Sequence, residues 1–180
     1  MAVAKRSQTP SRQDACRELV SLLSRRYRSE LPALVERPVL ETLLYGVCLE
    51  DTSPADAAVA LERLEAEFHD YNEARVSSIL ELERVFENTT APEWKALRVR
   101  SVLTFVFESF YAYEFESLRR KNIDQAKRLL SRVPHLSLFP RVYTLNQALG
   151  SHLVPLDESM RDTGVWLGLV SRGHSPQRAG

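Results

Sequence analysis

Glycine is scarce in this sequence: there are 6 in 180 residues, and all but Gly46 stand at or beyond Gly150. Long β-branched runs are missing as well. Both absences work against a turn-rich β architecture and favour helices. Cysteine is limited to Cys16 and Cys48, which excludes a disulfide scaffold and supplies too few thiolates for an iron–sulfur cluster. Each sits in an apolar helical pattern and reads as a buried small hydrophobe. No apolar run approaches the roughly 20 residues of a membrane span. The opening Met1-Ala-Val-Ala-Lys-Arg-Ser7 has no hydrophobic signal core. A cytoplasmic protein without membrane contact is the expectation. Net charge is also lacking: 24 basic and 24 acidic side chains cancel, so whole-chain electrostatics point to no polyanionic partner.

What is present is helical punctuation. Ser11 with Asp14 starts a helix whose Leu19, Val20, Leu23 and Tyr27 share a face. Leu40, Leu43, Leu44 and Val47 make the stripe of a second. Ser53-Pro54 pairs a capping serine with proline at the first helical position, followed by Ala58, Leu61, Leu64 and Phe68. Asp70-Tyr71-Asn72 breaks that helix. A short helix runs from Ser78 to Phe86, and Thr90-Ala-Pro-Glu93 reads as a capping box opening a long one. The aromatics Phe105, Phe107, Phe110, Tyr111 and Tyr113 at its end are expected in the core. Asn122-Ile-Asp-Gln125 caps another helix, Pro134-His-Leu-Ser137 interrupts it, and Gly150 closes the next with a left-handed cap. Asp157 starts the last. The sum is an all-α compact bundle of about eight short helices over residues 11–170, with flexible ends at 1–10 and 171–180.

The neutral total conceals two opposed segments. Residues 50–93 carry Glu50, Asp51, Asp56, Glu62, Glu65, Glu67, Asp70, Glu73, Glu81, Glu83, Glu87 and Glu93 against Arg63, Arg75 and Arg84. Residues 119–141 carry Arg119, Arg120, Lys121, Lys127, Arg128, Arg132 and Arg141 against Asp124 alone. Both read as solvated helix faces, or the second as a phosphate-contacting surface. His135 and His152 have no second ligand at metal-binding spacing.

Two helices joined by a tight turn, a basic surround and an aspartate at the next helix start resemble the helix-hairpin-helix DNA glycosylases of the endonuclease III family. Leu43-Leu44-Tyr-Gly-Val-Cys-Leu-Glu-Asp-Thr-Ser-Pro-Ala-Asp56 looks like the family's early helix and turn. Tyr71-Asn-Glu-Ala-Arg-Val76 and Lys95-Ala-Leu-Arg-Val99 look like its middle helices. The most specific stretch is Leu130-Ser-Arg-Val-Pro-His-Leu-Ser-Leu-Phe-Pro-Arg141. It matches the family's hairpin of leucine, proline, glycine, valine, glycine, one residue, lysine and threonine. Val154-Pro-Leu-Asp157 matches the valine-aspartate-threonine-histidine segment, and the interval from Phe139 to Asp157 equals the family's interval from lysine to aspartate.

The resemblance implies double-stranded, damaged or mismatched DNA as the partner of a monomeric protein without cofactors. Asp157 would be the catalytic carboxylate, stabilising an oxocarbenium-like sugar as the base leaves. His135, Ser137, Arg128, Arg132 and Arg141 would contact DNA, and Tyr143 with Arg141 could face a pocket. The departures are specific. Phe139 stands at the lysine's place and cannot form a Schiff base. His135 and Ser137 replace the hairpin glycines, where a left-handed backbone would cost each roughly 1–2 kcal/mol. Glu50-Asp51 falls near the family's wedge glutamine, where carboxylates would repel phosphates. The sequence ends soon after Asp157, without the family's C-terminal helices or iron–sulfur cysteines. Asp157 also reads as a simple N-cap, and the two roles are compatible. Three functions follow: a monofunctional glycosylase, a non-catalytic DNA-binding descendant, or a protein-interaction module using the acidic 50–93 face.

Overall fold

The structure, a computed structural model, describes residues 11–28 and 35–169; the expected flexible ends at 1–10 and 171–180 lie outside the described residues. Among them are nine α-helices, one short 3-10 helix at Glu116–Arg120, and no strand. In chain order the helices are α1 (Arg12–Tyr27), α2 (Val39–Leu49), α3 (Pro54–Glu67), α4 (Tyr71–Val76), α5 (Ile79–Val85), α6 (Pro92–Phe110), α7 (Ile123–Leu130), α8 (Leu138–Leu149) and α9 (Glu158–Trp166).

The capping chemistry sets most of these boundaries. Ser11, Ser53, Ser78 and Asn122 each accept the third amide of the helix they open, and Ser78–Glu81 and Asn122–Gln125 close reciprocal capping boxes. Gly150 ends α8 at φ 64°, a conformation that costs glycine nothing. Asp70, read as a break, is instead the N-cap that starts the additional helix α4. The box expected at Thr90 does not form. Ala91 is the N-cap of α6 at φ 52° with no side-chain cap, while the Thr90 hydroxyl donates to the Asp51 carbonyl at 2.6 Å.

α2 is apolar all round and is buried accordingly, from Val39 to Cys48 with only Glu41 part-exposed. It lies against α8, α3 and α6. The α2–α8 crossing is close because Gly46 has no side chain: a Cβ there would stand 3.2 Å from Pro140 Cα. With α2 enclosed by these partners, the core closes without α1. Val20, Leu23 and Tyr27 of the expected α1 stripe are exposed, and Cys16 is exposed with them, contrary to its expected burial. Cys48 is buried. Of the aromatics at the end of α6, Tyr111 is also outside the core, exposed at the left-handed C-cap of the helix. No helix among the described residues is long and apolar enough to cross a membrane.

Candidate functional site

α7, a turn over residues 131–137 and α8 form the hairpin that the sequence pattern requires. His135 takes φ 58°, so the left-handed backbone expected of the first hairpin glycine survives with a side chain on it. Ser137 does not share that cost: at φ −68° it is an extended N-cap residue. Its hydroxyl does not cap α8 but donates to Glu50 Oε2 at 2.8 Å.

The basic residues of the hairpin divide into two groups. Arg128 and Arg132 are exposed and line a shallow open groove with Lys121, Gln125 and Leu129. Arg141 is turned inward instead. Its guanidinium donates to the Leu136 carbonyl, and burial lowers its proton affinity. The guanidinium expected to contact DNA is thus engaged at the hairpin's own backbone. Phe139 is 6% exposed and stacks on Tyr143 at 6.3 Å between centroids, with Tyr45 of α2 5.9 Å beyond. Tyr143 thus belongs to the α2–α8 contact and, as expected of it, also lines a pocket, with Arg37, Thr42, Arg119 and Gln147.

Asp157 is the part-exposed N-cap of α9, with Oδ1 accepting the Met160 N–H at 2.7 Å. Among the described residues no donor reaches Oδ2. What connects Asp157 to the hairpin is the α2–α3 turn. Asp51 Oδ1 accepts the Glu158 N–H at 3.1 Å, while its neighbour Glu50 holds Ser137. Glu50 also pairs with Arg98 of α6, the two side chains 15% and 21% exposed. Its charge is thereby compensated by Arg98, while the Asp51 carboxylate meets only a backbone N–H.

Sequence reasoning missed the residue beneath this turn. Lys95 of α6 is 2% exposed, and its three ammonium protons meet the carbonyls of Val47 at 3.1 Å, Cys48 at 2.8 Å and Glu50 at 2.7 Å. The Val47 and Cys48 carbonyls are ones that the end of α2 leaves unpaired, the Glu50 carbonyl accepts the Thr52 hydroxyl as well, and a cation there also faces the negative end of the helix dipole. Desolvation pulls Lys95 down to about 8. A signal for it exists: Lys95 shares its helical face with Val99, Val102 and Val106, where a lysine is out of place.

No family model matches the sequence, and no curated protein is similar to it. The fold is similar to that of endonuclease III. A trapped endonuclease III–DNA covalent intermediate with an estranged adenine matches at TM-score 0.65 and 15% identity, over 93% of this chain and 74% of that one. A non-covalent endonuclease III–DNA complex matches at TM-score 0.65 and 15% identity, over 93% of this chain and 73% of that one. An iron–sulfur cluster such as the family carries does not fit these residues. Cys16 is exposed on α1, Cys48 is buried in α2, and burial pushes the Cys48 thiol up to about 12, away from the thiolate a metal requires.

Proposed function

We propose that this chain is a monofunctional DNA base-excision glycosylase of the endonuclease III-like fold, with Phe139 at the place of the family's lysine. The observation that carries the reading is Asp157. The sequence resemblance aligns it with the family's aspartate, and it sits at a helix start joined to the hairpin through the Glu50–Asp51 turn. The matched endonuclease III structures hold DNA, which supports a duplex as the partner here.

The chemistry asks for little beyond a placed carboxylate. With a base extruded from the stack, the bond from C1′ to the base nitrogen breaks and its electron pair leaves with the base, which takes up a proton. The positive charge that develops on the sugar is stabilised by the Asp157 carboxylate. Water then bonds to C1′ and loses a proton to that carboxylate or to solvent, leaving an abasic site. Phe139 offers no amine, so no Schiff base forms and the strand stays intact. Arg128 and Arg132 hold the phosphates by charge, and the sequence resemblance aligns His135–Ser137 with the family's DNA-contacting hairpin.

A non-catalytic DNA-binding descendant is the second reading. The Asp157–Met160 bond favours it, since that contact alone satisfies an ordinary N-cap. Incubation with a panel of lesion-bearing duplexes, followed by alkali, separates the two. Base release lost in Asp157→Asn supports the enzyme. Duplex binding without release on any lesion supports the descendant, and absence of both rejects the pair.

A further inference from the structure

Asp51 adopts φ 52°, a left-handed conformation uncommon for a residue with a side chain. Its turn is held there by neighbours on α6 and before it. Lys95 binds the Glu50 carbonyl at 2.7 Å, the Thr90 hydroxyl donates to the Asp51 carbonyl at 2.6 Å, and Thr52 Oγ1 accepts the Thr90 N–H at 3.4 Å. So fixed, the Asp51 carboxylate reaches an element 107 positions away and accepts the first helical N–H of α9, that of Glu158. Asp157 accepts the third, that of Met160. One aspartate suffices to cap a helix. A second, supplied by a distant turn, fixes where the helix sits.

α9 has little else to fix it. Gly164 is its one buried residue, and Met160 and Trp166 are 46% and 84% exposed. So little buried apolar area cannot define the position of the first turn. The direction of the Asp157 carboxylate follows from that turn.

We infer that Asp51 is a positioning residue for Asp157: its carboxylate docks the start of α9 on the α2–α3 turn and so holds the Asp157 carboxylate at the hairpin end of the bundle. The docking stands on the contacts themselves, and its catalytic consequence rests on the base-excision reading.

Asp51→Gly removes the carboxylate and also relieves the left-handed backbone, so the turn keeps its shape. Asp51→Asn keeps an accepting oxygen. Amide exchange reads the docking directly. Asp51→Gly is expected to speed exchange at Glu158 and through the first turn of α9 about tenfold, with Asp51→Asn within about threefold of wild type. Amides of α2 and α6 should not change. On a duplex that the wild type processes, single-turnover base release is expected to fall about tenfold in Asp51→Gly and to recover in Asp51→Asn. Affinity for a duplex carrying a tetrahydrofuran abasic analogue should stay the same. A general loss of structure would lower affinity along with release. Unchanged α9 exchange in Asp51→Gly overturns the docking whether or not any base is released. Accelerated exchange in a protein that releases no base leaves the docking in place and rejects the base-excision reading. Base release that is present and indifferent to Asp51→Gly rejects the positioning role.

Discussion

The acidic stretch 50–93 and the basic stretch 119–141 differ in more than sign. In the acidic stretch much of the charge is used within the fold. Asp56 accepts the Ser53 hydroxyl at the start of α3, Asp70 caps α4, Glu73 takes the His69 N–H at 2.6 Å, and Glu81 closes the capping box of α5. Glu87 pairs with Arg63, Glu50 with Arg98, and Asp51 with the start of α9. Helix starts attract carboxylates because their amides and dipole are positive, so a region of several short helices collects acids for structural reasons. The basic stretch is only partly used this way. Arg141 serves the Leu136 carbonyl, and Arg119 serves Glu116 and the carbonyls of Ala148 and Arg37. Arg120, Lys127, Arg128 and Arg132 remain exposed. The lesson is that an excess of one charge in sequence is a surface signal only after the charges that hold helix ends are set aside. That weakens the case for a protein-docking acidic face and strengthens the one for a polyanion-facing α7.

Substitutions can break this comparison, and the largest effect is expected beneath the acidic turn. Lys95→Met leaves the Val47 and Cys48 carbonyls without a donor, the Glu50 carbonyl keeping the Thr52 hydroxyl, and about 3 kcal/mol of stability should be lost in denaturant unfolding. The same residue sets a pH dependence. Lys95 in the folded chain releases its proton at about 8 instead of 10.5, so above pH 8 the unfolded chain binds more protons and stability rises with pH. Cys48 opposes this from pH 9.0 upward, where its thiol ionises in the unfolded chain and stays neutral in the folded one up to about 12. The rise should therefore appear between pH 8 and 9, vanish in Lys95→Met, and extend to higher pH in Cys48→Ala. A flat profile in that window would remove Lys95 as the buried titrating group.

Glu50→Ala comes next. It strips Arg98 and Ser137 of their shared acceptor and should cost about 2 kcal/mol by chemical denaturation. His135→Gly should act the other way, raising stability by up to about 1 kcal/mol as the left-handed strain is relieved. No gain there would mean that the His135 side chain makes a compensating contact. Arg128→Ala and Arg132→Ala should leave stability within about 0.5 kcal/mol. They should weaken duplex binding for any sequence, each reducing the salt slope by about 1. A larger stability loss there would place these arginines with Arg119 and Arg141 as structural residues.

Much of the fold was legible because helix signals are local. Ser53-Pro54, Ser78, Asn122 and Gly150 announce their helix ends within four residues of sequence, and each stands where expected. The errors came from partners far along the chain. The α1 stripe looks like a core face, yet α2 already has α8, α3 and α6 around it. Thr90 looks like an N-cap, yet the Asp51 carbonyl takes its hydroxyl. At the candidate site, Asp157 as a helix N-cap was readable and the turn behind it was not. Neither the Glu50–Arg98 pair nor the Asp51–Glu158 bond has a local signature, since both join segments brought together only by packing.

The most direct test of the central claim is alkali-revealed base release from lesion-bearing duplexes by the wild type and by Asp157→Asn, with folding of both checked by thermal unfolding. The account predicts that wild-type protein leaves alkali-labile abasic sites in otherwise intact strands, and that Asp157→Asn, still folded, leaves none. Strand breaks without alkali, release undiminished in Asp157→Asn, or no release from any lesion would contradict it.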